Sequence, residues 1–231
     1  YQISIVNYKL YTMDKQRLEI YLGALLHDIG KFLYRSQELK AGEGHEILGE
    51  QFIREYIGKI DCLRDSIKKI ISESKHHQTF TYTKIADQIT SAERIEEESK
   101  ETRRPLISIL SDIKTFNYPY NKEDIYYYLP EMITKDNIFS NIDNNTTDLN
   151  KWKYDEKSII QKHSDLLKEF KTELKKLNNI SDINSLSFTL YHLLFKYISR
   201  ISSAGYKSVP DVSLFDHNRA TAGLVNCLTY F

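Results

Sequence analysis

Glycine and proline are scarce in this chain of 231 residues, at eight and four copies. With so few breakers, and with Lys, Glu, Ile and Leu plentiful, the composition points to a mainly helical protein. Cysteine is scarcer still. Cys62 and Cys227 lie far apart and make no CxxC pair, which fits a reducing cytoplasm and two small core residues rather than a bridge or a metal ligand. No apolar run approaches the roughly 18 residues of a membrane span, and the opening segment Tyr1 to Thr12 lacks the form of a signal peptide. A charge excess is absent too, since 32 Lys and Arg balance 32 Asp and Glu. A protein that grips duplex nucleic acid by itself usually carries a strong positive excess, so any nucleic acid met here is held by local patches or by partner subunits. What is present is ample apolar material, 41% of the residues, enough to build a core.

Along the chain, residues 1–13 read as a variable N-terminal extension or a cloning remnant, with Met13 as a candidate natural start. Residues 14–35 read as one helix, with Leu18, Tyr21, Leu22, Leu25, Leu26 and Ile29 at helical spacing. After a Gly- and charge-rich loop come predicted helices over 45–57, 62–74 and 82–100. Pro105 then opens a new element, since proline suits a helix's first turn. Residues 115–150 differ. They hold two prolines, the run Tyr126-Tyr127-Tyr128 and an Asn- and Asp-rich stretch, and read as an irregular insertion with a short strand or hairpin. Amphipathic helices over 155–177 and 183–202 follow, then a last helix over 214–231. No internal repeat is visible.

The chemistry gathers in His27-Asp28, His45, His76-His77 and Asp87. A His-Asp dipeptide alone carries almost no weight. Its context does: Leu25-Leu26-His27-Asp28-Ile29-Gly30-Lys31 sets an ionisable pair among apolar residues, where desolvation is costly unless a cation compensates. Gly30 lets a ligand or a neighbouring backbone approach closely, and Lys31 puts a cation where a phosphate can sit. Each remaining candidate lies near the end or on one face of a separate helix, and a bundle can bring such positions together. A nitrogen-rich set with two carboxylates favours Mn, Fe, Co or Ni over Mg. Asp28, with two oxygens, can bridge two ions, and such a pair generates hydroxide and clamps both oxygens of a phosphodiester displacement. His163 and His192, on amphipathic helices without companion ligands, read as structural.

Three segments in order resemble one known group. Gly23-Ala24-Leu25-Leu26-His27-Asp28-Ile29-Gly30-Lys31 is similar to the opening motif of the large, polymerase-like subunit of type III-A (Csm) CRISPR effector complexes. The stretch Tyr82 to Arg94, with Ile85-Ala86-Asp87 and Ser91-Ala92, resembles that family's next signature. Asp211-Val212-Ser213-Leu214-Phe215-Asp216-His217-Asn218-Arg219 resembles the segment closing its HD domain. The resemblance implies a helical, circularly permuted HD bundle over 14–231, with the insertion at about 115–150. It also implies two-metal cleavage of single-stranded DNA, a cytoplasmic setting, and partnership with palm domains, other effector subunits and guide RNA. Under it, one ion takes His27, Asp28, Asp87 and His217, and the second takes Asp28, His45, His76 and His77. Lys31 and Arg35 are then expected at the scissile or flanking phosphates.

The permutation has its own support in the residues. Residues 1–26 contain no His, and His217 can supply the extra ligand from the other end of the chain. His217, Thr221, Leu224 and Leu228 share a helical face, and Ser213 with Asp216 fits a capping pattern. The polymerase-type palm domains have no counterpart within these residues, which hold no Gly-Gly-Asp-Asp, so no nucleotide cyclisation is expected of this chain. Two other readings stand beside this one. An HD phosphohydrolase of small nucleotides would use the same ligands, and a non-catalytic docking domain would need no metal.

Overall fold

The computed structural model describes residues 13–36, 44–75, 80–92, 103–108, 126–135, 137, 149–151, 155–204 and 207–230. The expected helices over 82–100 and 214–231 are described over Tyr82–Ser91 (α5) and Leu214–Leu228 (α8). Their remaining ends at 93–100 and 231, the extension at 1–12, and His76 and His77 lie outside the described residues.

The helix expected over 14–35 is broken. Helix α1 runs Lys15–Leu26 and α2 runs Ile29–Arg35, with His27 and Asp28 at the junction. Asp14 starts α1 by accepting from the Arg17 N–H at 2.9 Å, an N-cap of the usual chemistry. Asp28 leaves the helical region at φ −103°, ψ 11°. Periodicity misses this break because apolar residues flank it on both sides. Helix α1 is buried on almost every side of its second half, from Leu22 through Leu26, which is the pattern of a central helix.

Helix α3 (His45–Phe52) continues as a π-helical turn over Ile53–Ile57. The helix expected over 62–74 is shorter: a 3-10 turn at Asp61–Leu63 precedes α4 (Ile67–Ser74). Pro105 opens no helix within the described residues. Ile107 instead forms an isolated bridge to Tyr127, and its N–H donates to the Pro210 carbonyl at 2.8 Å. The hairpin in the insertion is present, with β1 (Tyr126–Tyr128) antiparallel to β2 (Leu149–Lys151) and Tyr127 opposite Asn150. Helices α6 (Glu156–Lys175) and α7 (Ile183–Ile198) start on Asp155 and Asp182, whose side chains cap the first turn. Ser213 caps α8, accepting from the Asp216 N–H at 2.9 Å and donating to its carboxylate at 2.7 Å.

The core gathers around α1 and α2. Leu22, Leu25, Leu26, Ile29 and Phe32 meet Phe52, Ile53 and Ile57, Ile70, Phe170 and Leu190. Phe52 stacks on Phe170 with ring centres 5.9 Å apart, and Phe32 lies 6.1 Å from Phe170. Two glycines permit the closest approaches. A Cβ on Gly30 would collide with the His45 carbonyl oxygen and stand 2.7 Å from the Gly49 nitrogen, and one on Gly23 would collide with the Glu73 side chain. Gly30 therefore serves a neighbouring backbone, which sets α3 and His45 against α2.

Two sequence expectations change in the packing. Cys227 is exposed and Cys62 is half-buried with its thiol free, so only Cys62 packs against the core. The buried face of α8 passes through Leu214, His217, Asn218, Thr221, Ala222 and Val225, while Leu228 is exposed. The face is rotated from the expected one because Asn218, a polar residue, is wholly buried and donates to the Leu25 carbonyl at 3.1 Å.

Candidate metal centre

The break after Leu26 creates the site. A helix that stops in the interior leaves carbonyls to be satisfied, and two of them are taken by the site's own residues and neighbours. The Ala24 carbonyl pairs with His27 Nδ1 at 2.7 Å, and the Leu25 carbonyl takes Asn218. A carbonyl oxygen only accepts, so Nδ1 of His27 carries a proton, and Nε2 is the nitrogen that faces inward and can offer a lone pair to a metal. That is the arrangement of a metal-ligating imidazole whose other nitrogen is held by the backbone.

Residues from the α1–α2 junction, α5 and α8 converge around that nitrogen. His27 Nε2 lies 3.5 Å from Asp28 Oδ2 and 3.6 Å from Asp87 Oδ1, the latter from α5. From α8, His217 Nε2 lies 3.4 Å from Asp28 Oδ2 and 3.0 Å from Asp87 Oδ1. The ligand atoms of His27, Asp87 and His217 all lie within 4.8 Å of one another. On the other oxygen of Asp28, His45 Nε2 approaches Oδ1 at 3.8 Å. Thus the two oxygens of one carboxylate face different histidines. His76 and His77 follow α4 by two residues and lie outside the described residues.

These spacings suit a divalent ion. Donors at about 2.1 Å from one metal stand about 3.0 Å apart in an octahedron and about 3.4 Å apart in a tetrahedron, against the 3.0–3.6 Å found here. Asp28 Oδ1 is buried and accepts no hydrogen bond, a costly state for a carboxylate oxygen unless a cation serves it. The donor set of imidazoles and carboxylates fits such a group.

Electrostatics agree in direction. Burial alone would raise the Asp28 carboxyl, but Lys31, His27 and His217 together hold it well below the ordinary carboxylate range. Burial alone would lower His217, but its hydrogen bonds to Asp28 and Asp87 raise it above the ordinary histidine value. Lys31 is placed at the site, its Nζ 2.5 Å from Asp28 Oδ2. Arg35 differs from expectation. Its side chain is buried and donates to the Lys31 carbonyl at 3.4 Å and Ser202 Oγ at 3.0 Å, so it sits behind the site and not on its surface. His163 and His192 stand apart, as read from the sequence: His163 is buried with Nδ1 on the Ile159 carbonyl at 2.9 Å, and His192 packs edge-on to Phe188.

Several residues that support the site were not among the candidate site residues in the sequence. Thr90 and Thr221 join α5 to α8 through a 2.9 Å hydroxyl pair, one turn beyond Asp87 and His217. Ser91 donates to Asp87 Oδ1 at 3.1 Å, and Asn218 ties α8 to the end of α1. The Ser91 bond has a sequence signal, an i,i+4 pair on one helix. The others depend on tertiary contact.

Residues 6–114 match the family model described as HD domain. Across 90% of its length the chain is 29% identical to the CRISPR system single-strand-specific deoxyribonuclease Cas10/Csm1 (subtype III-A) of Methanocaldococcus jannaschii. It is 28% identical, over 92% of its length, to the protein of the same description from Enterococcus italicus. Residues 6–114 are thus similar to the HD domain, and the chain as a whole is similar to these Csm1 relatives. It spans 27% and 29% of those relatives' lengths, roughly a quarter. Among solved structures, the apo Csm1-Csm4 cassette is similar over 93% of this chain and 28% of that one, with a TM-score of 0.54 and 18% identity. Csm1 in T. onnurineus is similar over the same shares, with a TM-score of 0.52 and 20% identity. At that identity the likeness establishes the helical HD fold. His217 falls outside the residues matched by the family model, yet it stands in the same cluster as His27. Among the described residues no helix is long and apolar enough to cross a membrane.

Proposed function

We propose that this HD domain is a metal-dependent nuclease domain acting on single-stranded DNA within a type III-A CRISPR effector complex. The observation that carries the reading is the meeting of His27, Asp28, Asp87 and His217, which come from the α1–α2 junction, α5 and α8. The relatives' description as single-strand-specific deoxyribonucleases supports the substrate, and neighbours solved as Csm1-Csm4 cassettes support an effector-complex setting.

His27, Asp28, Asp87 and His217 would hold one ion, and Asp28, His45, His76 and His77 a second, with Mn, Ni or Co favoured over Mg by the nitrogen-rich set. A bound pair of such ions supplies hydroxide at neutral pH and neutralises charge on the phosphate oxygens. The chain's own residues set the frame. Asp28 turns one oxygen to each half of the site. His27 presents Nε2 because Ala24 holds Nδ1. Asp87 is oriented by Ser91. Lys31 places an ammonium beside Asp28, where it can meet a phosphate oxygen, and the half-exposed side of His45 leaves the approach open to solvent.

The test is the double variant His27→Ala, Asp28→Ala, measured for Mn binding by titration calorimetry and for cleavage of a single-stranded oligonucleotide. Loss of both, with far-ultraviolet dichroism retained, is the expected result. Cleavage at the parental rate would sink the site assignment. Parallel incubations with nucleoside triphosphates separate strand hydrolysis from small-nucleotide hydrolysis, and chelator should stop either one.

A further inference from the structure

Behind the metal centre lies a group of cations that the reading above does not use. Arg35 is 3% exposed, and both of its hydrogen-bond acceptors, the Lys31 carbonyl and Ser202 Oγ, are neutral. Its Nε is buried without a hydrogen-bond partner, and so is the Nε of Arg103. The two guanidinium groups are close enough to oppose one another electrostatically. Arg103 lies over the Tyr34 ring, 5.1 Å from its centre. Among the described residues its carboxylate contact is Glu156 at 4.0 Å, the limit of an ion pair, and Glu156 is 64% exposed. Asp28 also attracts Arg35 electrostatically, but among the described residues neither guanidinium is hydrogen-bonded to a carboxylate; buried like charges so placed are unfavourable, and burial drives the Arg35 pKa down to about 10. Arg103, at 23% exposure, opens this pair to solvent. Arg35 lies one helical turn, about 5.4 Å of axis, beyond Lys31, which touches Asp28.

We propose that Arg103, with Arg35 beneath it and Tyr34 alongside, forms a phosphate-binding subsite next to the metal centre. It takes a phosphate adjacent to the one being hydrolysed, and the Tyr34 ring offers a face to the neighbouring base. Guanidinium forks match phosphate oxygens in pairs, and aromatic faces accept bases without sequence preference. The role within a strand rests on the nuclease reading. The phosphate-binding chemistry itself would serve a strand or a free nucleotide equally.

The experiment compares the parental chain with R103Q, R103K and, as a charge control, R64Q. Arg64 is 74% exposed and pairs with Asp61. Two probes are used: inorganic phosphate, followed by thermal shift, and a fluorescent oligothymidylate, titrated across a series of salt concentrations. For R103Q we expect affinity for the oligothymidylate to fall about tenfold, and the slope of log affinity against log salt to shallow by about 0.7. R103K should restore most of the slope, R64Q should behave as the parent, and Mn affinity should be unchanged in all. Parental behaviour of R103Q towards both probes overturns the subsite, as does an equal loss in R103Q and R64Q. If the parent ignores the oligothymidylate but inorganic phosphate stabilises it in an Arg103-dependent way, the subsite stands and the strand reading falls. If the parent binds the oligothymidylate through Arg103 yet never cleaves it, the subsite stands and the nuclease reading falls.

Discussion

A buried histidine that stays neutral makes a protein sensitive to acid, and His163 is such a residue. Its ring is buried on α6, Nδ1 donates to the Ile159 carbonyl, and burial together with the nearby Arg35 charge pushes its pKa down to about 3. The unfolded chain takes up that proton below about pH 6.5, whereas the folded chain refuses it until about pH 3. The contribution to stability is therefore complete above pH 6.5 and declines as pH falls from about 6.5 towards 3. The decline is about 1.4 kcal/mol per pH unit. His163→Leu, close in volume, should remove it. Urea unfolding at pH 6.5 and 5 should show the parent losing about 2 kcal/mol more than the variant, and equal losses would show that His163 is not held neutral. The sequence marked His163 as structural from its lack of companion ligands. It did not reveal Arg35 beside it, because the two are 128 positions apart and no local pattern links them.

At the scale of elements, the site depends on where helices stop and how closely they pass. The α2–α3 contact is set by Gly30, whose missing side chain admits the His45 backbone. Gly30→Ala must push α3 away. The cost should be about 3 kcal/mol or more, at the upper end of overpacking effects, and His45 should move off Asp28. Thermal unfolding reads the first effect. The imidazole chemical shifts of His45 in the presence of Zn, compared with the parent, read the second, and an unchanged melting temperature would contradict the close approach. The Gly-Lys context was legible as a place of close approach, but the partner was not. The choice between a ligand and a backbone depends on α3 folding back on α2. The break at His27-Asp28 was illegible for a different reason. Its flanks are Leu25-Leu26 and Ile29, so apolar periodicity runs across it without interruption.

For the molecule as a whole, an ion held between the α1–α2 junction, α5 and α8 would bind the folded chain and not the unfolded one. By linkage, Mn at a hundred times its dissociation constant adds about 2.7 kcal/mol. For a chain of this size that is a rise of about 5–10 °C in the melting temperature. Chelator should reverse the rise, and Asp28→Asn should abolish it. A parental chain whose melting point ignores Mn, Co and Ni alike would contradict a site shared by these elements. Among the described residues, Thr90 with Thr221 and Asn218 with Leu25 already tie the same elements together, so the scaffold holds the candidate ligands in one place.

The sequence alone singled out the candidate ligands and most of the helices, because residue types fix which atoms can ligate and local periodicity fixes which segments coil. It also offered His217 as a candidate ligand from the far end, on the strength of the family resemblance and of a missing histidine near the start, and the fold sets that residue beside His27 and Asp87. Tertiary structure alone decided the rest: the helix break that turns His27 inward, the division of Asp28's two oxygens, and the withdrawal of Arg35 behind the site. These depend on contacts between residues tens to nearly two hundred positions apart, and only the folded chain brings such residues within the few ångströms at which hydrogen bonds and ion pairs act.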